Sequence, residues 1–226
     1  MNSLAEENYL KAIYKIAETR DGYILTNDIA HRMNTTAASV TDMLKKLAKK
    51  KLIKYKKYQG LSLTDPGKRT ALAIIRKHRL WEMFLVKILK FKWDEVHDVA
   101  EQLEHIRSEK LIQHIDKILH FPKFDPHGDP IPNAQGKFEL YKEKSFALSL
   151  GKREGLYVVT GVVDHTASFL QLLDKAGISL GGKIKIRDVQ PYDKSLSVFL
   201  NGKKKLFLSN QIAKNILVTD AQSRKK

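Results

Sequence analysis

The chain has no cysteine among its 226 residues. Disulfides, thiolate metal ligation and thiol catalysis are therefore excluded, and any bound ion must be held by oxygen or imidazole nitrogen. Proline is scarce, with 6 residues, and no apolar run approaches the roughly 18 residues that a membrane span needs. The start, MNSLAEENYL, lacks the basic and apolar stretches of a secretory signal. The expectation is a cytoplasmic protein with no membrane partner. There is no HExxH, no nucleophile elbow and no phosphate loop, which leaves little for a hydrolase to use.

What the chain has is positive charge, a formal +16 with a pI near 9.8. Such a balance favours a polyanionic partner, nucleic acid before membrane. The charge is uneven. MLKKLAKKKLIKYKK, residues 43–57, carries eight lysines and no acid, whereas residues 94–109 hold six acids against one arginine. A basic head and an acidic middle suggest two different binding tasks.

The acidic stretch, VHDVAEQLEHI, puts Glu101 four residues after His97, three before Glu104 and four before His105. On a helix these side chains share one face. Two imidazoles and two carboxylates there can chelate a divalent cation. A second pair, His78 and Glu82, is also four apart in RKHRLWEMF. The alternative is a solvated acidic face with incidental histidines.

Taken in order, Leu4–Glu18 reads as a helix with a Ser3/Glu6 capping box. Thr26 caps a short helix over residues 27–33, and Thr36 caps a longer one over 37–50 whose buried face is Val40, Met43, Leu44 and Leu47. Two helices joined by a tight turn make a helix-turn-helix. LIKYKKYQGLSLT then alternates like a hairpin turning at Gln59-Gly60. The combination is a winged helix. Thr36, Ala38, Ser39 and Asp42 would face base edges, and Lys45, Lys46, Lys49 and Lys56 would meet phosphates. Thr64 caps a helix running to about Leu89, followed by helices over 94–106 and 109–119. The Pro- and Gly-rich stretch 120–136 reads as a boundary or rigid linker. Beyond it, period-two strands at 157–163, 183–189, 196–200, 205–208 and 216–218, with one helix over 168–176, suggest a small SH3-like β-barrel.

These motifs meet a family. NYLKAIY, VTDMLKKLAKKKLI, YQGLSLTDPGK, RKHRLWE, VHDVAEQLEH and PHGDPIP resemble, in order and spacing, the diphtheria-toxin-repressor family of metal-dependent transcription regulators, which includes manganese transport regulators. QLLDKAGISLG is similar to part of that family's FeoA-like domain. The resemblance implies a mainly α protein with a small β part. A winged-helix DNA-binding domain would span 1–65, a helical metal-binding and dimerisation domain 66–135, and an SH3-like domain with a basic tail 136–226. It implies a homodimeric repressor of palindromic double-stranded operator DNA, activated by Mn2+ or Fe2+ and controlling metal homeostasis. A metal-independent winged-helix regulator is the alternative, and a metallohydrolase a remoter one.

By the same resemblance the primary ligands are Asn8, Glu101, Glu104 and His105, with His78 matching a further ligand. Glu101 sides with the manganese type, since iron-type members have cysteine there. Asn8 departs from both types, which carry aspartate or methionine. Lys11 stands where some two-metal members have a ligand glutamate, so a closely bridged metal pair is not expected. The ancillary site matches two versions, either His78, Glu82 and His97 or Glu82, Asp125, His127 and Asp164, with His165 beside the last.

Overall fold

The computed structural model describes residues 2–19, 22–56, 60–139 and 145–221. It divides into two compact units. The first comprises 1–81, 100–117 and 131–138, and the second 82–99, 118–130 and 139–226.

In the first unit, α1 (Leu4–Thr19) starts in the expected capping box: Ser3 N–H donates to Glu6 Oε2 at 2.8 Å and Glu6 N–H to Ser3 Oγ at 3.3 Å. Helix α2 (Thr26–Arg32) begins one residue earlier than the sequence suggests. Thr26 is its first residue rather than its cap, and Asp28 closes the end by accepting Leu25 N–H at 2.8 Å. Thr36 does cap α3 (Ala37–Lys49), accepting Ser39 N–H. Val40, Leu44 and Leu47 face inward at helical spacing and pack with Leu10, Ile13, Ile24, Ile29, Leu61 and Ile75. Strands β1 (Ile53–Lys56) and β2 (Gly60–Leu63) pair antiparallel, Ile53 opposite Leu63, and Ile24 bridges to Leu61 at the hairpin's edge. The expected turn residue Gln59 lies outside the described residues. Helices α2 and α3 with this hairpin form the winged helix-turn-helix.

Helix α4 (Asp65–Lys87) is capped by Thr64, whose Oγ1 accepts Gly67 N–H. Helix α5 (Val96–Leu103) is shorter at both ends than the periodicity suggests. Glu104 N–H still bonds Ala100 O, but Ile106 N–H reaches only to Leu103 O, so the chain tightens into a turn after Leu103. Glu104 and His105 therefore sit in that turn. Helix α6 (Glu109–Ile118) buries Ile112 and Ile115, and its Asp116 pairs with Arg76 of α4. No described helix is long and apolar enough to cross a membrane.

The second unit is built on a six-stranded antiparallel sheet: β3 (Phe146–Ala147), β4 (Leu156–Val162), β5 (Lys183–Val189), β6 (Leu196–Leu200), β7 (Lys204–Leu208) and β8 (Ile216–Asp220). The spatial order is β3-β8-β4-β5-β6-β7. This corrects the expected barrel. Among the described residues β3 and β7 are edges that do not pair, so the sheet stays open. Strand β3 has only two residues, too few for an alternation to show, and it was not anticipated. Helix α7 (Ala167–Ala176) lays Phe169, Leu170 and Leu173 on the sheet and ends at Gly177 with φ +80°. A five-residue helix, α8 (Asn210–Lys214), was also hidden, although Ser209 caps it.

The linker-like stretch is ordered. Asp125 Oδ1 accepts the N–H of both His127 and Asp129, at 2.8 and 2.9 Å, and Val162 N–H donates to His127 O at 3.0 Å. Gly128 sits at φ +92°, and a Cβ there would lie 2.1 Å from Thr160 O. Gly128→Ala should therefore cost about 2 kcal/mol or more, read as a lower urea midpoint. An unchanged midpoint would show that the loop does not need this close approach.

Candidate metal centres and nucleic-acid interface

In the first unit, α1 presents Glu7, Asn8 and Lys11 on one side, at i, i+1 and i+4. Lys11 Nζ donates to Glu101 Oε1 and to Glu104 Oε2, both at 2.6 Å, and stands 3.2 Å from His78 Nδ1. His78 Nδ1 is 2.6 Å from the same Glu104 oxygen. Lysine only donates and a carboxylate only accepts, so the short contact places the His78 proton on Nδ1, donated to Glu104. The Lys11 side chain is 7% exposed and that of Glu104 0%. Two carboxylates, an imidazole and an ammonium thus share a node that is buried at Lys11, His78 and Glu104 and partly open to solvent at Glu101.

Beside the node, His105 Nδ1–H donates to Glu7 Oε2 at 2.7 Å. That bond leaves Nε2 with its lone pair, the tautomer a metal ligand needs. Glu104 Oε1 lies 3.9 Å from His105 Nε2 and is buried with no hydrogen-bond partner among the described residues. Asn8 Oδ1 is buried and orphaned too. A buried polar atom left unpaired costs about 1–3 kcal/mol, so an oxygen–nitrogen set of this kind fits a cation. Of the expected primary ligands, Asn8, Glu104 and His105 keep a donor atom for one. Glu101 and His78 are engaged with Lys11 and Glu104.

The second unit gathers Glu82, Asp125 and His127, whose ligand atoms lie within 4.8 Å of one another, all buried. His127 Nε2–H donates to Trp93 O at 2.8 Å, turning Nδ1 toward the carboxylates. Among the described residues Nδ1 has no hydrogen-bond partner, and Glu82 Oε2 at 3.8 Å acts on it through charge. Burial alone would lower the His127 pKa. The Glu82 carboxylate, helped by Asp125, overrides this and holds it at about 9. The His165 ring stacks on His127 with centroids 4.7 Å apart, and burial depresses its pKa. Glu82 Oε1 also stands 3.4 Å from His97 Nδ1. Asp164 is not in the group. Its Oδ1 accepts Thr166 N–H at 2.9 Å, ahead of α7.

The expected DNA-contacting residues are all exposed. Ala38, Ser39, Asp42, Lys45, Lys46 and Lys49 line the outward side of α3, and Lys56 ends β1. Thr36 and Ser39 share a hydroxyl contact at 3.0 Å, and Asp42 pairs with Lys45 at 3.1 Å. Lys50 is different: it donates to the buried Glu6 at 2.6 Å, and that bond with the Ser3 N–H outweighs burial to lower the Glu6 pKa.

Three roles were missed in the sequence: Lys11 as a cation inside the cluster, Glu7 as the group orienting His105, and the Trp93 carbonyl orienting His127. The first two carry a signal, since residues 7, 8 and 11 share a helix face. The third is a backbone contact and carries none.

The His127 value has a pH consequence. A folded pKa of about 9 against an ordinary 6.5 means that the protonated ring stabilises the metal-free fold fully below pH 6.5. That contribution is lost as pH rises through about 9. An NMR titration of the metal-free protein should show one histidine with its midpoint near 9, brought down by Glu82→Gln. The account of this pocket fails if every histidine titrates below about pH 8.

Comparison with known proteins assigns each part of the chain to a family. Residues 3–61 match the family described as "Iron dependent repressor, N-terminal DNA binding domain". Residues 64–133 match "Iron dependent repressor, metal binding and dimerisation domain", and 146–220 match the "FeoA domain". The iron-dependent repressor IdeR of Mycobacterium tuberculosis is 35% identical over 135 residues, which is 58% of this chain and 58% of that one. The HTH-type transcriptional regulator MntR of Bacillus subtilis is 31% identical over 144 residues, covering 63% of this chain and 100% of MntR. Among solved structures, a manganese-dependent transcriptional repressor in complex with manganese superposes with a TM-score of 0.84 at 33% identity, covering 95% of this chain and 99% of that one. With winged helix, helical middle and C-terminal sheet all matched in order, the chain belongs to the iron-dependent repressor family of metal-dependent transcriptional regulators.

Proposed function

We propose that the chain is a repressor whose binding to double-stranded DNA is switched on by a divalent cation, Mn2+ or Fe2+, acting as a homodimer on a palindromic operator. One observation carries the reading. The exposed lysines of α3, the orphaned oxygens of Asn8 and Glu104, and His105 beside them lie in the same compact unit. The family is one of repressors and not of enzymes.

The donors come from segments far apart in sequence. Asn8 belongs to α1, ahead of the DNA-binding helices, and Glu104 and His105 follow α5. Asn8 Oδ1, Glu104 Oε1 and His105 Nε2 would hold an ion, which would supply the positive charge that the two orphaned oxygens lack. Glu7 fixes the His105 ring for it, and α1 is thereby tied to the turn after α5. In this reading α3 is presented to DNA in one orientation. Oxygen and imidazole donors without sulfur suit manganese or iron(II). The Glu82, Asp125 and His127 group, with His97 on the other Glu82 oxygen, is the ancillary site, and His127 gives up its Nδ1 proton when an ion binds. A dimer reads half-sites about 34 Å apart or a multiple of that. Ile88, Leu89 and Phe91 are exposed after α4 and suit a place in the dimer seam.

The test is fluorescence anisotropy with a duplex selected from a random pool by the Mn2+-loaded protein. His105→Ala should raise the Mn2+ concentration for half-maximal binding by about 10- to 100-fold. Lys46→Ala and Lys49→Ala should each reduce the slope of log affinity against log salt by about 1 without altering the metal midpoint. An unchanged midpoint in His105→Ala contradicts the coupling, and unchanged salt slopes contradict the DNA face.

A further inference from the structure

We propose that the outer face of the C-terminal sheet is a binding surface for single-stranded RNA, one that needs neither the winged helix nor a bound ion.

Positive charge is concentrated on this sheet. Residues 183–205 carry seven lysines and arginines against two aspartates. None of this charge serves the winged helix. Strand alternation sorts the side chains. Ile184, Ile186, Val198, Leu200 and Leu208 turn inward and are buried with the α7 residues. Lys183, Lys185, Phe199, Lys205 and Phe207 turn the other way. In register, Phe199 stands between Lys185 of β5 and Lys205 of β7, and Phe207 stands opposite Ser197. The two rings are thus diagonal neighbours, whose backbones lie roughly 7–8 Å apart. Arg187 sits where β5 bulges, and its guanidinium lies over the Phe199 ring, 5.4 Å from the centroid. One acid stands among these cations. Glu154 lies 2.9 Å from Lys185 Nζ and 3.0 Å from Arg187 Nη1, while Asp188 faces Arg153 at 3.7 Å. The face keeps an excess of positive charge.

The occupant follows from the mixture of rings and cations. Lysines alone on an edge strand guard it against pairing with other strands. Phe207, 63% exposed beside them, works against that purpose. An anionic chain that carries flat rings suits both groups: phosphates meet the cations, and bases stack on Phe199 and Phe207. Duplex DNA offers the phosphates but keeps its base faces inside, which leaves the rings unused. Unpaired RNA bases are open to stacking, and the RNA 2′-hydroxyl suits the Ser197 hydroxyl beside Phe207.

The test is fluorescence anisotropy of a labelled oligo(U) of about 12 nucleotides with the metal-free full chain. Phe207→Leu keeps an apolar side chain without a ring and should weaken binding about 10-fold, whereas Phe207→Tyr should bind like the parent. Lys205→Ala should reduce the slope of log affinity against log salt by about 0.7. Both positions are exposed, so the fold should tolerate these changes. Lys46→Ala and Lys49→Ala in α3 should leave oligo(U) affinity unchanged, and oligo(dU) of the same length should bind more weakly. Oligo(U) affinity indifferent to Phe207→Leu and Lys205→Ala overturns the proposal, as does a loss confined to the α3 variants. Oligo(dU) binding as tightly as oligo(U) overturns the choice of RNA. Phosphatidylserine vesicles are the last arm. A chain that they hold through Phe207, and that oligo(U) does not bind, carries a membrane surface there and not a nucleic-acid one.

Discussion

The buried charge cluster around Lys11 constrains the first unit more than any apolar contact does. Taking a carboxylate as enclosed as Glu104 out of water is costly, and only close opposite charge and hydrogen bonds offset it. Lys11 and His78 supply both to Glu104 Oε2. Removing one partner of such a buried group costs about 3–5 kcal/mol, a large part of a domain's net stability. The cluster thus fixes where α1 meets α4 and the turn after α5. The apolar core of Leu10, Ile13, Leu44 and Ile75 is less particular, since it tolerates small slips that a hydrogen-bonded charge node does not.

The two candidate ion sites show opposite solutions to one electrostatic problem. In the first unit an internal ammonium neutralises part of the negative charge permanently, and what remains open is a weak set with one neutral oxygen, Asn8 Oδ1. In the second unit the balancing charge is a proton on His127, held there by Glu82 and removable by a metal ion. The first place is therefore tuned by a fixed charge, and the second by competition between proton and metal. Such a pair answers differently to pH, and Glu82 sits between two imidazoles, His97 and His127, to set that response.

The winged helix was legible because its signals are local: caps at Ser3, Thr36 and Thr64, a three-four apolar repeat on α3, and alternation in the hairpin. The C-terminal strands were legible for the same reason, but closure of the sheet was not. Whether β3 and β7 pair depends on contacts distant in sequence, and β3 is too short to announce itself. At the candidate metal sites, residue type and spacing marked Glu101, Glu104, His105 and His78 as possible chelators. They could not show that Lys11 would be drawn into the middle of the group, because that contact spans 93 positions between Lys11 and Glu104. The expected helix over 94–106 also misplaced Glu104 and His105, which lie in a turn that aims them at α1. Tertiary charge pairing, unlike amphipathic periodicity, leaves no pattern along the chain.

Anomalous diffraction at the manganese edge, from crystals of the full chain grown with Mn2+, tests this account most directly. It predicts an ion bounded by Asn8 Oδ1, Glu104 Oε1 and His105 Nε2, with Lys11 Nζ still on Glu101 and the other Glu104 oxygen. An ion seated instead on Glu101, Glu104 Oε2 and His78, with the Lys11 side chain swung away, would contradict it.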